Sequence, residues 1–176
     1  MTTDGLPAGA DLRAVEEAIA RHPDVVEVTA VPVDGVVAAV VPADFASAPA
    51  VRDHAWELLG DRSAPRTIAL LAALPRDASG AVDLVELRRI LVEDDPPKST
   101  YTPPRTKLEI EVAEVLRDVL GLSRVGLDDD FLELGGDSLR AIEVANLLEQ
   151  RLGLEVTLEE VFAASTVRNL ARNATE

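Results

Sequence analysis

The chain has no cysteine, so it forms no disulfide and no thiolate metal site. Any thiol chemistry must come from a group added to it. Aromatic residues are scarce: one tryptophan, one tyrosine and three phenylalanines, so the core must be aliphatic. Basic residues are few, with 17 Lys and Arg against 32 Asp and Glu and a formal charge of -15. A surface of that sign repels nucleic-acid phosphates and anionic membranes alike. Both halves are acidic, so no basic arm stands out. No apolar run approaches the length that spans a bilayer. Met1 to Asp11 is small and polar, without the basic start or apolar core of a secretion signal. A cytoplasmic protein with no nucleic-acid or membrane partner is expected.

What is abundant is Val, Leu and Ala. Residues counted as hydrophobic make up 47% of the 176, enough for one domain or two small ones. The most informative stretch is Phe131-Leu-Glu-Leu-Gly-Gly-Asp-Ser-Leu-Arg-Ala141. Gly135 and Gly136 make a free turn, and Asp137 and Ser138 stand where a helix begins. Beyond them Ile142, Ala145, Leu148 and Leu152 are spaced for one helical face. The turn sets a hydroxyl at the positive end of a helix, where a phosphate can sit. Asp137 or Ser138 as a plain N-cap is the other reading of the same residues.

Residues 1–95 read as an α+β unit. The pattern predicts a helix over Asp11–His22, strands Val25–Val33 and Val36–Val41 joined at Asp34-Gly35, and an edge or bulge at Pro32. A helix follows over Pro49–Leu59, with Val51, Ala55, Leu58 and Leu59 inward and Gly60 as its stop. A strand over Arg66–Leu71 comes next. Asp83-x-x-Glu86 reads as a capping box for a last helix carrying Leu84, Leu87, Ile90 and Leu91. His22 and His54 show no acid–base or nucleophile–base arrangement. Residues 96–104 are polar and proline-rich, which predicts an extended, stiff spacer between domains.

Residues 105–176 read as an all-α four-helix bundle. Leu108, Val112, Val115, Leu116 and Val119 mark the first helix, ending near Gly121. Ser138–Leu152 is the second. Thr157-x-x-Glu160 boxes the start of the third, and Ser165-Thr166 caps the fourth, with Val167, Leu170 and Ala171 inward. The Asp128-Asp129-Asp130 run lacks the alternation, central glycine and distal glutamate of a calcium loop, so a solvated turn and cap are expected.

Phe131-x-x-Leu134-Gly-Gly-Asp-Ser-Leu139 resembles the attachment site of a peptidyl carrier protein of the nonribosomal peptide synthetases. The resemblance covers Tyr101 to Ala174. It implies that a phosphopantetheinyl transferase esterifies the Ser138 hydroxyl with 4'-phosphopantetheine from coenzyme A, with Gly136, Asp137 and Leu139 around the attachment point. The arm's thiol then holds an aminoacyl or peptidyl group as a thioester during natural-product biosynthesis. Partners are expected on the exposed side of the second helix, at Leu139, Ile142 and Glu143, with Val161 and Phe162 near on the third. Each apolar member of that set reads as core too, Ile142 evenly so. Phe131 is expected to close the loop over the bundle.

A second resemblance lies in the N-terminal half. Ala10-Asp-Leu-Arg-Ala-Val-Glu-Glu-Ala-Ile-Ala-Arg-His-Pro-Asp-Val25 and Leu74-Pro-Arg-Asp-Ala-Ser-Gly-Ala-Val-Asp83 resemble the small C-terminal subdomain of adenylation domains. In that family a lysine follows the glycine and neutralises charge during adenylate formation. Here Ala81 stands there, and Arg76 and Arg88 do not replace it. The large core with its phosphate loop and amino-acid pocket is missing too, and no G-x-x-x-x-G-K-[ST] or G-x-G-x-x-G occurs. The resemblances together imply a non-catalytic carrier. An adenylation enzyme would load it in trans, and a condensation, tailoring or thioesterase enzyme would unload it. Two alternatives stay open: a fragment of a complete synthetase module, and an acidic adaptor with no cofactor.

Overall fold

The computed structural model describes residues 11–33, 35–43, 47–60 and 63–173. They form two compact units, Met1–Thr100 and Tyr101–Glu176. In the first unit α1 is Leu12–Ile19, and the Asp11 carboxylate caps it by accepting from the N–H groups of Arg13 and Ala14. Val15, Ala18 and Ile19 form its buried face. It stops before the expected His22. After Ala20 the N–H groups of Arg21 and His22 bond back only three residues, to Ala18 and Ile19, which tightens the last turn.

The β-branched runs become β1, Val25–Pro32, and β2, Val36–Pro42, antiparallel with Pro32 opposite Val36. Pro32 lies on an edge strand, where its missing N–H costs no ladder bond, and the bulge falls at Val25/Glu27 instead. Asp34 of the expected turn lies outside the described residues. α2 is Ala48–Leu59, capped by Ser47 and stopped at Gly60. Val51 and Ala55 face inward as expected, but Leu58 is exposed, and Arg52 and Trp56 take inner positions instead. β3, Thr67–Leu70, runs parallel to β2. α3, Leu84–Arg89, starts on Asp83, whose carboxylate accepts from the N–H groups of Val85 and Glu86. Only that half of the capping box is described: the Asp83 N–H goes to the Pro75 carbonyl at 2.8 Å, and Glu86 pairs with Arg89. A π-helical turn, Ile90–Asp94, completes the element, and Asp95 ends it in the left-handed region at φ 44°.

The expected spacer is partly folded. Lys98–Thr100 is β4, antiparallel to β3, giving a sheet of order β1-β2-β3-β4 among the described residues. Thr100 and Thr67 share a side-chain hydrogen bond of 3.0 Å, and the buried Arg52 donates to Ser99 Oγ at 2.5 Å. The sheet is covered on both faces. Val37, Ala39 and Ala69 pack with Leu87 and Leu91 on one. The alternate residues Ala38, Val40 and Ile68 are buried on the other, and α1 packs on β1 and β2 and α2 on β3. His22, in the turn after α1, and His54 of α2 meet edge to face at 5.2 Å, a packing contact.

In the second unit α4 is Lys107–Leu120, α5 Ser138–Leu152, α6 Leu158–Ala164 and α7 Val167–Asn173. Two full capping boxes start α4 and α6, Thr106 with Glu109 and Thr157 with Glu160. Thr166 Oγ1 accepts from the Asn169 N–H at 3.3 Å and caps α7. Gly121 and Gly153 close α4 and α5 in the left-handed conformation. Val112, Leu116, Ala141, Val144, Leu148, Val167 and Leu170 meet in one core.

The burial pattern of α5 separates two leucines. Leu148 is fully buried and Leu139 is 76% exposed. Leu148→Ala is expected to cost about 2–5 kcal/mol and Leu139→Ala within about 0.5 kcal/mol, read from urea unfolding. Equal losses would contradict the orientation of the helix.

Candidate functional site

The loop before α5 is built from side chains that each take a separate partner. Val125, Leu127, Phe131 and Leu134 are buried and turn the loop into part of the bundle core. The three aspartates expected as a solvated turn do different work. Asp129 is buried and accepts from the Gly126 N–H at 2.7 Å. Asp130 Oδ1 accepts from the N–H groups of Leu132 and Glu133 at 2.8 and 3.2 Å. Asp128 takes two hydrogen bonds from Arg168 of α7, at 2.6 and 2.9 Å. No group of three or more His, Cys, Asp or Glu placed to hold a metal occurs among the described residues.

Phe131 is anchored at both ends. Its N–H donates to the Ser165 carbonyl at 2.7 Å, and its carbonyl accepts from the Gly136 N–H at 2.8 Å. Its ring meets Phe162 edge to face at 6.0 Å. The ring lies directly against Gly136, so a Cβ there would overlap it. Gly135, at φ 88°, turns the chain just before this contact. The two glycines therefore have separate reasons: one a positive φ, the other a close approach.

Asp137 follows as N-cap, in extended conformation, and its Oδ1 accepts from the Arg140 N–H at 2.9 Å. Ser138 is then the first residue of the fifteen-residue α5 and is exposed. Asp137 does the capping, and Ser138 is exposed at the positive end of the helix. Arg140 folds back and donates from Nη1 to the Gly135 carbonyl at 2.6 Å, with Asp137 Oδ2 at 3.5 Å. The surroundings are acidic. Burial within the loop, then Asp130 and Asp129, pushes the Glu133 carboxyl up from its ordinary value.

Around Ser138 the structure places Leu139, Ile142 and Glu143 on the exposed side of α5, with Ile142 at 48% exposure. Ile142 is therefore not on the inner face; Ala141, Val144 and Leu148 are. Val161 is corrected the other way. It is fully buried in the bundle core and presents nothing to a partner. Phe162 is half-buried against Phe131. Sequence reasoning missed Leu132, 55% exposed between the buried Phe131 and Leu134, and the fold-back of Arg140. Polar Glu133 next to Leu132 was the available signal for a loop surface.

Two outcomes follow. Gly136→Ala should cost about 1–3 kcal/mol in urea unfolding, because Phe131 cannot move without opening the core. Asp128→Asn should destabilise at pH 6 by less than about 1 kcal/mol, since the Asp128–Arg168 pair is half-exposed and screened by solvent. The Arg168 hydrogen bonds hold the Asp128 carboxyl below its ordinary value. Its contribution is thus full above the unfolded pKa of about 3.9 and is lost as pH falls through the lower folded value. The gap in urea midpoint between wild type and variant should close below about pH 4. A constant gap would contradict the ion pair.

Residues 111–173 match the family described as phosphopantetheine attachment site, and residues 14–81 match the AMP-binding enzyme C-terminal domain. A plipastatin synthase of Bacillus subtilis is 32% identical over 168 residues, 92% of this chain and 6% of that protein. Gramicidin S synthase 2 of Aneurinibacillus migulanus is 39% identical over 120 residues, 65% of this chain and 3% of that protein. A solved complex of the phosphopantetheine transferase Sfp with coenzyme A and a peptidyl carrier protein matches at 33% identity and a TM-score of 0.41, covering 43% of this chain and 97% of that one. The chain thus spans only a small part of these two synthases, 6% and 3% of their lengths. No described helix is long and apolar enough to cross a membrane. Two family matches in this order, one in each compact unit, identify the chain as an adenylation C-terminal subdomain followed by a carrier domain of the nonribosomal peptide synthetases.

Proposed function

We propose that the second unit is a peptidyl carrier whose Ser138 takes 4'-phosphopantetheine, and that it works in the cytoplasm in nonribosomal natural-product biosynthesis. The observation that carries this reading is the exposed Ser138 hydroxyl at the first position of α5. The residues fit the group. The hydroxyl is open to an incoming enzyme, and the helix start favours a phosphate. No base stands beside it in the hydrogen bonds described, so a partner transferase has to take the proton. In the attachment step Ser138 Oγ bonds to the phosphorus of coenzyme A that bears pantetheine. The bond from that phosphorus to the adenosine 3',5'-diphosphate half breaks, that diphosphate leaves, and the hydroxyl proton passes to a base of the transferase. When attached, the group supplies a thiol that holds an acyl chain as a thioester. The chain's own part is to hold one hydroxyl in fixed geometry on a small domain, which raises the effective concentration of the cargo at each enzyme met.

Leu139, Ile142 and Glu143, exposed just beyond Ser138, suit partner docking, and Leu132 is exposed in the loop before α5. Gly136, Asp137 and Leu139 frame the attachment point. The first unit does not adenylate on this reading. The loop Asp77–Ala81 is well tied: Asp77 Oδ1 accepts from Ser79 N–H and Oγ and from the Ala81 N–H, and Arg76 pairs with Glu27 at 2.6 Å. It presents Ala81, an exposed methyl without charge, where the family resemblance places a lysine. An adenylating enzyme in trans then loads the carrier, and a condensation, tailoring or thioesterase enzyme receives the cargo. The size of the relatives favours one second reading, that these two units serve inside a longer synthetase polypeptide.

Loading tests this. The phosphopantetheinylated chain should gain an aminoacyl mass only with a separate adenylating enzyme, ATP and amino acid. With ATP and amino acids alone neither it nor Ala81→Lys should exchange pyrophosphate into ATP. Exchange by either protein alone would overturn the non-adenylating reading.

A further inference from the structure

We propose that Arg140 is a positioning residue whose guanidinium leaves the Gly135 carbonyl for the phosphodiester on Ser138 once the arm is attached, and serves there as its counter-charge. The inference rests on the carrier reading and deepens it. It begins from charge. Between Val125 and Gln150 the sequence holds seven carboxylates and one cation, Arg140. Arg168 of α7 answers Asp128 with two hydrogen bonds, but it is spent on that pair. Attachment adds one more negative charge directly beside Asp137. Like charges at that spacing resist each other, and Arg140 already pairs with Asp137 at that helix start.

Geometry supplies the second half. Residues two apart on a helix point away from each other, so Arg140 would ordinarily lie far from Ser138. Here it reaches back over the helix start, with Nη1 2.6 Å from the Gly135 carbonyl and 3.5 Å from Asp137 Oδ2. That places its guanidinium at the same end of α5 as the serine. Its side chain is 44% exposed, so solvent, not packing, surrounds much of it. Its shorter contact is with a neutral carbonyl, and its longer one, to Asp137, is a half-exposed ion pair at the edge of hydrogen-bond distance. A charge-assisted bond to phosphate is stronger, and the planar fork of arginine matches phosphate oxygens. The backbone N–H of Arg140 stays on Asp137, so the cap survives the exchange.

The test uses the whole chain, coenzyme A, magnesium and a broad-specificity transferase, with Arg140→Gln and Arg140→Lys beside wild type. Urea midpoints check that the bundle is intact in each variant. The readouts are the Arg140 Nε–H resonance before and after attachment and the phosphorus-31 line of the attached group. The Arg140 resonance should shift on attachment. The phosphorus line of Arg140→Gln should differ from wild type at low salt and converge with it at high salt, with Arg140→Lys nearer wild type. Attachment to Arg140→Gln should be about two- to five-fold slower at low salt. An Arg140 resonance that does not move, or a phosphorus line identical in wild type and Arg140→Gln at low salt, overturns the proposal. A wild-type chain with no mass gain overturns the carrier reading itself, and is recognised before any resonance is compared.

Discussion

The ring of Phe131 against the bare α-carbon of Gly136 is the contact on which the site depends. Phe131 is fully buried, and its N–H and carbonyl tie the loop to Ser165 and to Gly136. Because the ring fills the space where a Cβ would go, the chain reaches Asp137 at one height and in one direction. Asp137 can then cap α5, and Ser138 falls on its first position, in solvent. A buried aromatic thus positions an exposed hydroxyl. The scarcity of aromatics in the chain gives the contact its weight: Phe131 and Phe162 are the two phenylalanines of the carrier unit, and they touch.

Charge is arranged around the same point. The loop carries its aspartates on backbone N–H groups and on Arg168. Arg140 is the one cation between Val125 and Gln150 in the sequence, and it folds back to the helix start that carries the serine. The chain carries a formal charge of -15, and the start of α5, with Arg140 folded back over it, is a place of opposite sign. The first unit shows the opposite economy. Its sheet is covered on both faces, its Asp77 loop is tied by three hydrogen bonds to one carboxylate oxygen, and the residue that loop offers is a methyl group.

Much of this was legible from residue types alone. The Thr157–Glu160 box, the glycine stops and the helix start at Asp137-Ser138 are local signals, and local hydrogen bonds decide them. What failed was decided at a distance. Lys98-Ser-Thr100 reads as polar spacer because its own residues give no strand pattern. It folds because β3 offers a free edge and a buried Arg52, distant in sequence, reaches Ser99. The place of Ile142 on α5, open between core and surface in the sequence, is decided for a different reason. Ala141 is small and Ile142 large, so the pattern leans toward Ile142 although the fully buried position is Ala141. Val161 and Phe162 each read as docking surface or as core, and the short α6 turns Val161 wholly into the core while Phe162 stays half-buried. In α2 Arg52 is buried and Leu58 is not, because a guanidinium with a hydroxyl partner and the Trp56 ring can fill a place an aliphatic side chain would.

The central claim is that the hydroxyl carried forward by this turn, and no other, takes the cofactor. The most direct measurement is peptide mapping by mass spectrometry after treatment of the folded chain with coenzyme A, magnesium and a phosphopantetheinyl transferase. Tryptic cleavage releases Val125–Arg140, in which Ser138 is the one hydroxyl side chain. The account predicts one phosphopantetheine on that peptide and none on the Ser138→Ala chain. A modification found on another peptide, or a folded chain that takes none, would contradict it and leave Ser138 as the first residue of a helix and nothing more.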